Sequence, residues 1–503
     1  MQSPETLPHN TQINSGLLSS GWTLAISVCV IILLGSFTYS IYPVPVNLAA
    51  FLVLIGLFYF WLERADYISF FIQLIIGNFF IFGAKYGGNY NITAALAILL
   101  HYVAKGSLSN LGTTPLSKRL LGVLFFWWLI QVLSVVSGND FTFLLKINSI
   151  WSFSLLIYLF YFSSLVILTE QKVLKIIQAL TLFFFYLFLV ALNQKYRFIS
   201  YDLPFFPLAD ESIDFDLDIV RSTSTLNNFE AYAEYCVSFI AILFPSVISG
   251  SLIKKNKTLY WLVLIALMTG VLALVLTATR SSMLLLPFII LASIIMLGRR
   301  ARIHILLKMS VGAVVLFIVN SFLNIVDFSV FIERSNNIDF KHLTIDKMLS
   351  GEEMNRGSVF KYAWQQVYEA NPIIGRGYFS TPDEYRYTHF PIDNIGDGVA
   401  DYHNIFFSSY VLWGIIGVLC LFLLFLSILY KGIKIYWKLR KEDSFLVDLI
   451  LGFTIMFFFF LVNQFKIQFI RDVNYFMIIL LLLSLFFNII RLTKKVYFDR
   501  PTI

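Results

Sequence analysis

KTLYWLVLIALMTGVLALVLTATRSSMLLLPFIILASIIMLGRR, residues 257–300, reads as two membrane spans joined almost without a loop. Its apolar runs, 258–277 and 282–298, are each close to the ~20 residues that cross a bilayer as a helix. Thr277-Ala278-Thr279-Arg280-Ser281-Ser282 stands between them, and Gly298-Arg299-Arg300 closes the second.

The same ruler carried outward finds runs near 22–40, 44–62, 67–83, 90–104, 120–137, 147–168, 174–193, 229–250, 403–430, 445–462 and 473–490, and one at 303–325. The expected fold is therefore an all-α integral membrane protein with about 12–14 transmembrane helices. Composition excludes a soluble globular chain. Charged residues make up 13%, against ~25% in soluble domains, and mean hydropathy is +0.78.

Orientation follows from the basic residues, which concentrate in cytoplasmic connections. With the N-terminus inside, the inner connections carry Arg64; Lys105, Lys118 and Arg119; Lys172 and Lys175; Lys254, Lys255 and Lys257; Arg299, Arg300 and Arg302; and Lys431 to Lys441. The short outer ones carry only Lys85, Lys146, Arg280, Lys466 and Arg471. Residues 1–21 then form a disordered cytoplasmic lead without the basic start of a signal peptide. Residues 22–490 form one polytopic domain, and 491–503 a cytoplasmic tail. Two loops face outward, a smaller one at 194–228 and a large one at 326–402. The net charge of +7 belongs to the cytoplasmic rim and requires no nucleic acid. Cys29, Cys236 and Cys420 fall within spans and have no metal-ligand spacing.

Several polar residues at the outer side call for a purpose. Arg280 is expensive at the edge of hydrocarbon and needs water, an anion or a carboxylate. It either snorkels to the surface or, with Thr277, Thr279, Ser281 and Ser282, builds an anion site at a helix start. In the large loop, Arg356 of Asn355-Arg356-Gly357 opens a segment in which Phe360, Trp364, Val367 and Tyr368 recur at helical spacing. That spacing predicts an amphipathic helix on the membrane surface. His403-Asn404 begins the next span. In the smaller loop, Arg221-Ser222-Thr223-Ser224-Thr225 precedes Glu230 and Glu234, which share one helix face. These carboxylates either position a hydroxyl or arginine, or form an ordinary solvated helix start. Asp210, Glu211, Asp214, Asp216 and Asp218 read as a solvated acidic run, with metal binding the weaker reading.

Taken in order, these elements resemble the O-antigen ligase and O-antigen polymerase superfamily. The resemblance rests on Thr279-Arg280-Ser281 at the outer end of a span, Arg356 and Trp364 in a long outer loop, the turn Asn371-Pro372-Ile373-Ile374-Gly375-Arg376-Gly377, and His403-Asn404 followed by Gly414 and Gly417. It covers about residues 258–430. It implies a membrane-embedded glycosyltransferase-like fold and transfer of a glycan from a polyprenyl-diphosphate lipid to an acceptor hydroxyl, with inversion, no metal and no cofactor. It further implies Arg280, Arg356 and His403 as catalytic residues. Arg221, Glu230, Trp364 and Asn404 become contacts to diphosphate or sugar. The implied acceptor is a lipid-linked repeat unit (a polymerase) or a lipid A core sugar or protein (a ligase). The implied setting is the bacterial cytoplasmic membrane with the site facing out, and a chain-length regulator or flippase as further partner. A transporter of lipid-linked glycans is the competing class. It predicts symmetric halves and polar residues near the midplane, whereas here they gather at the outer face.

Overall fold

The computed structural model describes residues 87–105, 118–137, 143–200, 222–226, 228–302, 372–375, 405–464 and 473–498, with shorter pieces at 207–208, 213–214 and 219–220 and isolated positions within 52–78 and 304–314. In chain order the helices are α1 (Gly87–Lys105), α2 (Lys118–Ser137), α3 (Phe143–Leu165) and α4 (Glu170–Tyr196). A two-residue antiparallel ladder of β1 (Ile213–Asp214) and β2 (Ile219–Val220) follows. Next come α5 (Phe229–Ile248), α6 (Ser251–Lys255), α7 (Lys257–Thr277) and α8 (Arg280–Leu297). The last are α9 (Ile405–Leu439), α10 (Phe445–Asn463) and α11 (Val473–Tyr497). Among the described residues, eight helices are long and apolar enough to cross a membrane. The chain is an all-α, multi-pass membrane protein. The expected runs near 22–40, 44–62, 67–83 and 303–325 lie largely outside the described residues. Two helices outrun the apolar segments: α9 continues through Lys431, Lys434 and Lys438, and α11 through Arg491, Lys494 and Lys495. Lysine and arginine are good helix formers, so a helix need not stop where hydrocarbon does.

Helix starts follow local chemistry. Asn228 Oδ1 accepts from the N–H groups of Glu230 and Ala231 at 2.8 and 3.0 Å, opening α5. Asn256 Oδ1 does the same for Leu259 N–H at 2.9 Å in α7. Thr169 Oγ1 caps α4 through Lys172 N–H at 3.3 Å. Each cap satisfies donors that a helix start leaves open.

The centre of the bundle is α5, buried continuously from Ala231 to Ile248. It packs against α7, α8 and α10, while α9 lies against α2, α10 and α11, and α11 against α3. Lipid offers helices no hydrophobic reason to associate, so close packing must supply it. Gly452 of α10 provides such an approach, since a Cβ there would stand 2.0 Å from Ile242 O of α5. The peripheral α8 instead exposes Leu284, Phe288, Leu291 and Ile295. These recur at helical spacing on one face, a stripe that water would penalise and acyl chains accept.

The two ends of the bundle differ. At one, the fully buried Asp448 of α10 pairs with Arg300 at 2.8 Å and accepts from Ser249 Oγ at 2.5 Å. Arg300 also donates to Glu442 O at 2.7 Å, and Lys254 pairs with Asp443. This end gathers the termini of α5, α8, α9 and α10 with the basic residues that the loop charges assign to the cytoplasm. The turn between α7 and α8, carrying Arg280, lies at the other.

Candidate functional site

The α7–α8 turn consists of two residues. Ala278 takes a left-handed conformation (φ 49°) and donates its N–H to Val275 O at 3.0 Å. Thr277 Oγ1 donates to Leu274 O at 2.7 Å and Thr279 Oγ1 to Thr277 O at 3.3 Å. Two of the four hydroxyls around Arg280 are thus engaged in shaping the turn. The buried Oγ atoms of Ser281 and Ser282 have no hydrogen-bond partner among the described residues. Arg280 is the first residue of α8, at a helix start that leaves backbone N–H groups open.

One turn inside α5, Glu234 is buried (3% exposed). Its Oε1 accepts from Gln464 Nε2 at 2.7 Å and Asn463 Nδ2 at 3.1 Å, and its Oε2 from the Tyr475 hydroxyl. An ionised carboxylate only accepts, so these three donors match it. The carboxylate borders a cavity of about 10 Å³ that it shares with Ser238, Ser282 and Asn463. Such a volume suits one water or hydroxyl and excludes a sugar ring. Gln464 reaches further, because its backbone carbonyl accepts the N–H of Ile405, the first residue of α9, at 2.9 Å.

Residues 222–226 are buried against the ends of α4 and α7. Gln194 organises them. Its Oε1 accepts from Thr223 and Ser224 N–H at 2.9 and 2.7 Å, and its Nε2 donates to Ser224 O at 2.9 Å and Pro207 O at 3.2 Å. Ser222 N–H caps Leu276 O of α7 at 3.1 Å.

The turn Pro372–Gly375 docks into a break in α9. Gly414 leaves helical geometry there (φ 61°, ψ −169°). The N–H groups freed by the break bind the turn, Ile415 to Pro372 O at 3.0 Å and Ile416 to Ile373 O at 3.3 Å. Ser134 Oγ of α2 reaches Ile374 O. Next to the break, Trp413 Nε1 donates to Gln131 Oε1 at 2.6 Å, and its ring meets Trp127 edge-on at 5.1 Å.

Of the residues singled out in the sequence, Arg280 starts α8, with its side chain outside the described residues. Glu230 is half-buried at the start of α5, and Glu234 lines the cavity. Asp214 lies in β1. Arg221, Arg356, Trp364, His403 and Asn404 lie outside the described residues, as do Asp210, Glu211, Asp216 and Asp218. Sequence reasoning missed Gln194, Asn463, Gln464 and Tyr475. Asn463-Gln464 did leave a signal, two amides ending an otherwise apolar run, since polar side chains at membrane depth seek partners on other helices.

The family model described as O-antigen ligase matches residues 264–422. The match begins inside α7, takes in the α7–α8 turn and ends within α9 beyond Gly414 and Gly417. No curated protein matches the chain. The matched segment contains the Thr279-Arg280-Ser281 turn, the loop turn docked on Gly414 and the start of α9, and over those residues the chain is similar to the O-antigen ligase family.

Proposed function

We propose that the chain transfers a glycan from a polyprenyl-diphosphate lipid to an acceptor hydroxyl at the outer face of the bacterial cytoplasmic membrane, acting as a polysaccharide polymerase. The observation that carries this reading is the family match over residues 264–422. It is supported by the opening of α8 at Arg280, at the end of the bundle away from the basic rim.

In this mechanism the acceptor oxygen attacks the anomeric carbon while the bond from that carbon to the diphosphate oxygen breaks. The hydroxyl proton passes to His403 and the electron pair leaves on the lipid diphosphate. Arg280 and Arg356 meet the growing negative charge with planar, permanently charged forks. Attack opposite the leaving group inverts the anomeric centre and needs no metal when two arginines serve the phosphates. His403 as base accounts for about 10²–10⁴-fold in rate. Its alternative role is a cationic contact to the diphosphate. Arg221, Glu230, Trp364 and Asn404 complete the donor and acceptor contacts.

A ligase is the second reading, favoured by the matched family model being that of the O-antigen ligases. Supplying purified protein with donor alone, and with donor plus lipid A core, separates the two. A polymerase lengthens chains on donor alone, whereas a ligase forms product only with the core. No product in either arm overturns the glycan-transfer reading.

A further inference from the structure

We infer that Glu234 is a positioning residue for the reaction, acting through Gln464 on the first turn of α9. The inference rests on the reading of His403 as a reacting group, because His403 precedes Ile405 by two residues. Ionisable side chains inside a bundle are expensive, and an apolar residue at this point of α5 would pack at less cost. The carboxylate is nonetheless buried and receives three neutral donors, from the end of α10 (Asn463), the residue after it (Gln464) and the start of α11 (Tyr475). It joins three helices where the α7–α8 turn and the start of α9 converge.

Gln464 carries this order to α9. Its side-chain amide must turn its NH₂ toward the acceptor-only carboxylate, which settles its orientation. Its backbone N–H is held by Phe460 O at 2.9 Å, and its backbone carbonyl takes the Ile405 N–H at 2.9 Å. That N–H is among the donors a helix start leaves open, so Gln464 O serves as the cap of α9. The chain of contacts from Glu234 to the opening of α9 is two hydrogen bonds long. On its other side, Glu234 shares its small cavity with Ser282, two residues past Arg280. One buried carboxylate therefore borders a cavity with Ser282 of α8 and connects through Gln464 to Ile405 of α9.

The test exchanges donor and acceptor across the Glu234–Gln464 bond. Full-length protein in nanodiscs is compared as wild type, Glu234→Gln, Gln464→Glu and the double Glu234→Gln/Gln464→Glu. Three quantities are read: kcat and KM for transfer from a polyprenyl-diphosphate glycan, hydrogen exchange of the peptide that begins at residue 405, and thermal unfolding. Glu234→Gln keeps shape but turns one acceptor into a donor. The expected result is a kcat about 10- to 100-fold lower, a KM within about twofold of wild type, and faster exchange at the start of α9. The double variant should regain most of both. Tyr475→Phe, which removes one donor and keeps the ring, is the milder variant if Glu234→Gln fails to fold, and should shift kcat and exchange in the same direction.

Unchanged exchange at the start of α9 in Glu234→Gln, or in Tyr475→Phe where that variant stands in, overturns the inference. So does a kcat that falls only in proportion to folded protein. Restored exchange without restored kcat in the double variant assigns Glu234 a direct role and likewise overturns positioning. Exchange reads the Glu234–α9 link without any turnover. A wild type inert toward every acceptor therefore removes the glycan-transfer reading while the link is judged separately.

Discussion

Gly414 has no Cβ where Ile373 needs the space: a methyl group there would stand 2.3 Å from the Ile373 carbonyl oxygen. The contact is reciprocal, since a Cβ on Gly375 would lie 2.5 Å from Gly414 N. Both glycines have positive φ, 61° and 69°. The turn at residues 372–375 is thereby tied to a helix that breaks to receive it. Gly414→Ala combines a backbone strain of ~1–3 kcal/mol with overpacking of similar size. It should lower the unfolding midpoint of the purified protein and reduce glycan transfer, and Gly375→Ala should do the same. A Gly414→Ala variant as stable and active as wild type would refute the docking role.

Asp448 and Arg300 form a second test. Removing one partner of a buried pair leaves an uncompensated charge, a loss of about 3–5 kcal/mol. Asp448→Ala should therefore unfold at markedly lower temperature in detergent. The paired replacement Asp448→Leu/Arg300→Met should recover much of the difference, because buried pairs replaced together by apolar residues are often neutral. An additive double variant would show that the pair is not the source of the effect.

Gln194→Ala removes the acceptor of two buried N–H groups, Thr223 and Ser224. Each orphaned buried group costs about 1–3 kcal/mol. Tryptic cleavage at Arg221 should accelerate while α4 and α7 stay intact. Gln194→Glu, which keeps the acceptor but faces Ser224 O with a second oxygen, should fall between wild type and alanine.

Arg280→Ala and Arg356→Ala should each lower kcat by about 10²–10³-fold, the effect of deleting one donor to a developing anion. Membrane insertion should be unaffected. Arg280→Lys should restore little, because a point charge does not reproduce a bidentate fork. His403→Ala should lower kcat by about 10²–10⁴-fold, and near-normal turnover in that variant would remove the base assignment.

Transfer should persist in excess chelator. Activity lost with chelator and regained with Mg²⁺ or Mn²⁺ would move the phosphate chemistry to a metal and give the acidic run 210–218 the role of its ligands.

Much of this protein is written locally. The turn at 278–279 was legible because apolar runs cannot hide an arginine, and the helices followed from runs of the right length. Where a helix outlasted its apolar run, as α9 does through Lys438, hydropathy marked the edge of hydrocarbon instead of the edge of the helix. Glu230 and Glu234 looked alike in sequence. A single helical turn makes one a half-buried start of α5 and the other a buried hub.

The amino-acid sequence by itself determined the membrane class and which residues form the basic end of the bundle. Each of these depends on the solvent a residue meets along one helix, which composition and charge reveal. Tertiary structure alone decided that Gln194 holds residues 222–226, that Gly414 receives residue 373, and that Glu234 is joined to Ile405 through Gln464. Those contacts link residues from about 30 to more than 200 positions apart, and their geometry exists only once the helices have packed.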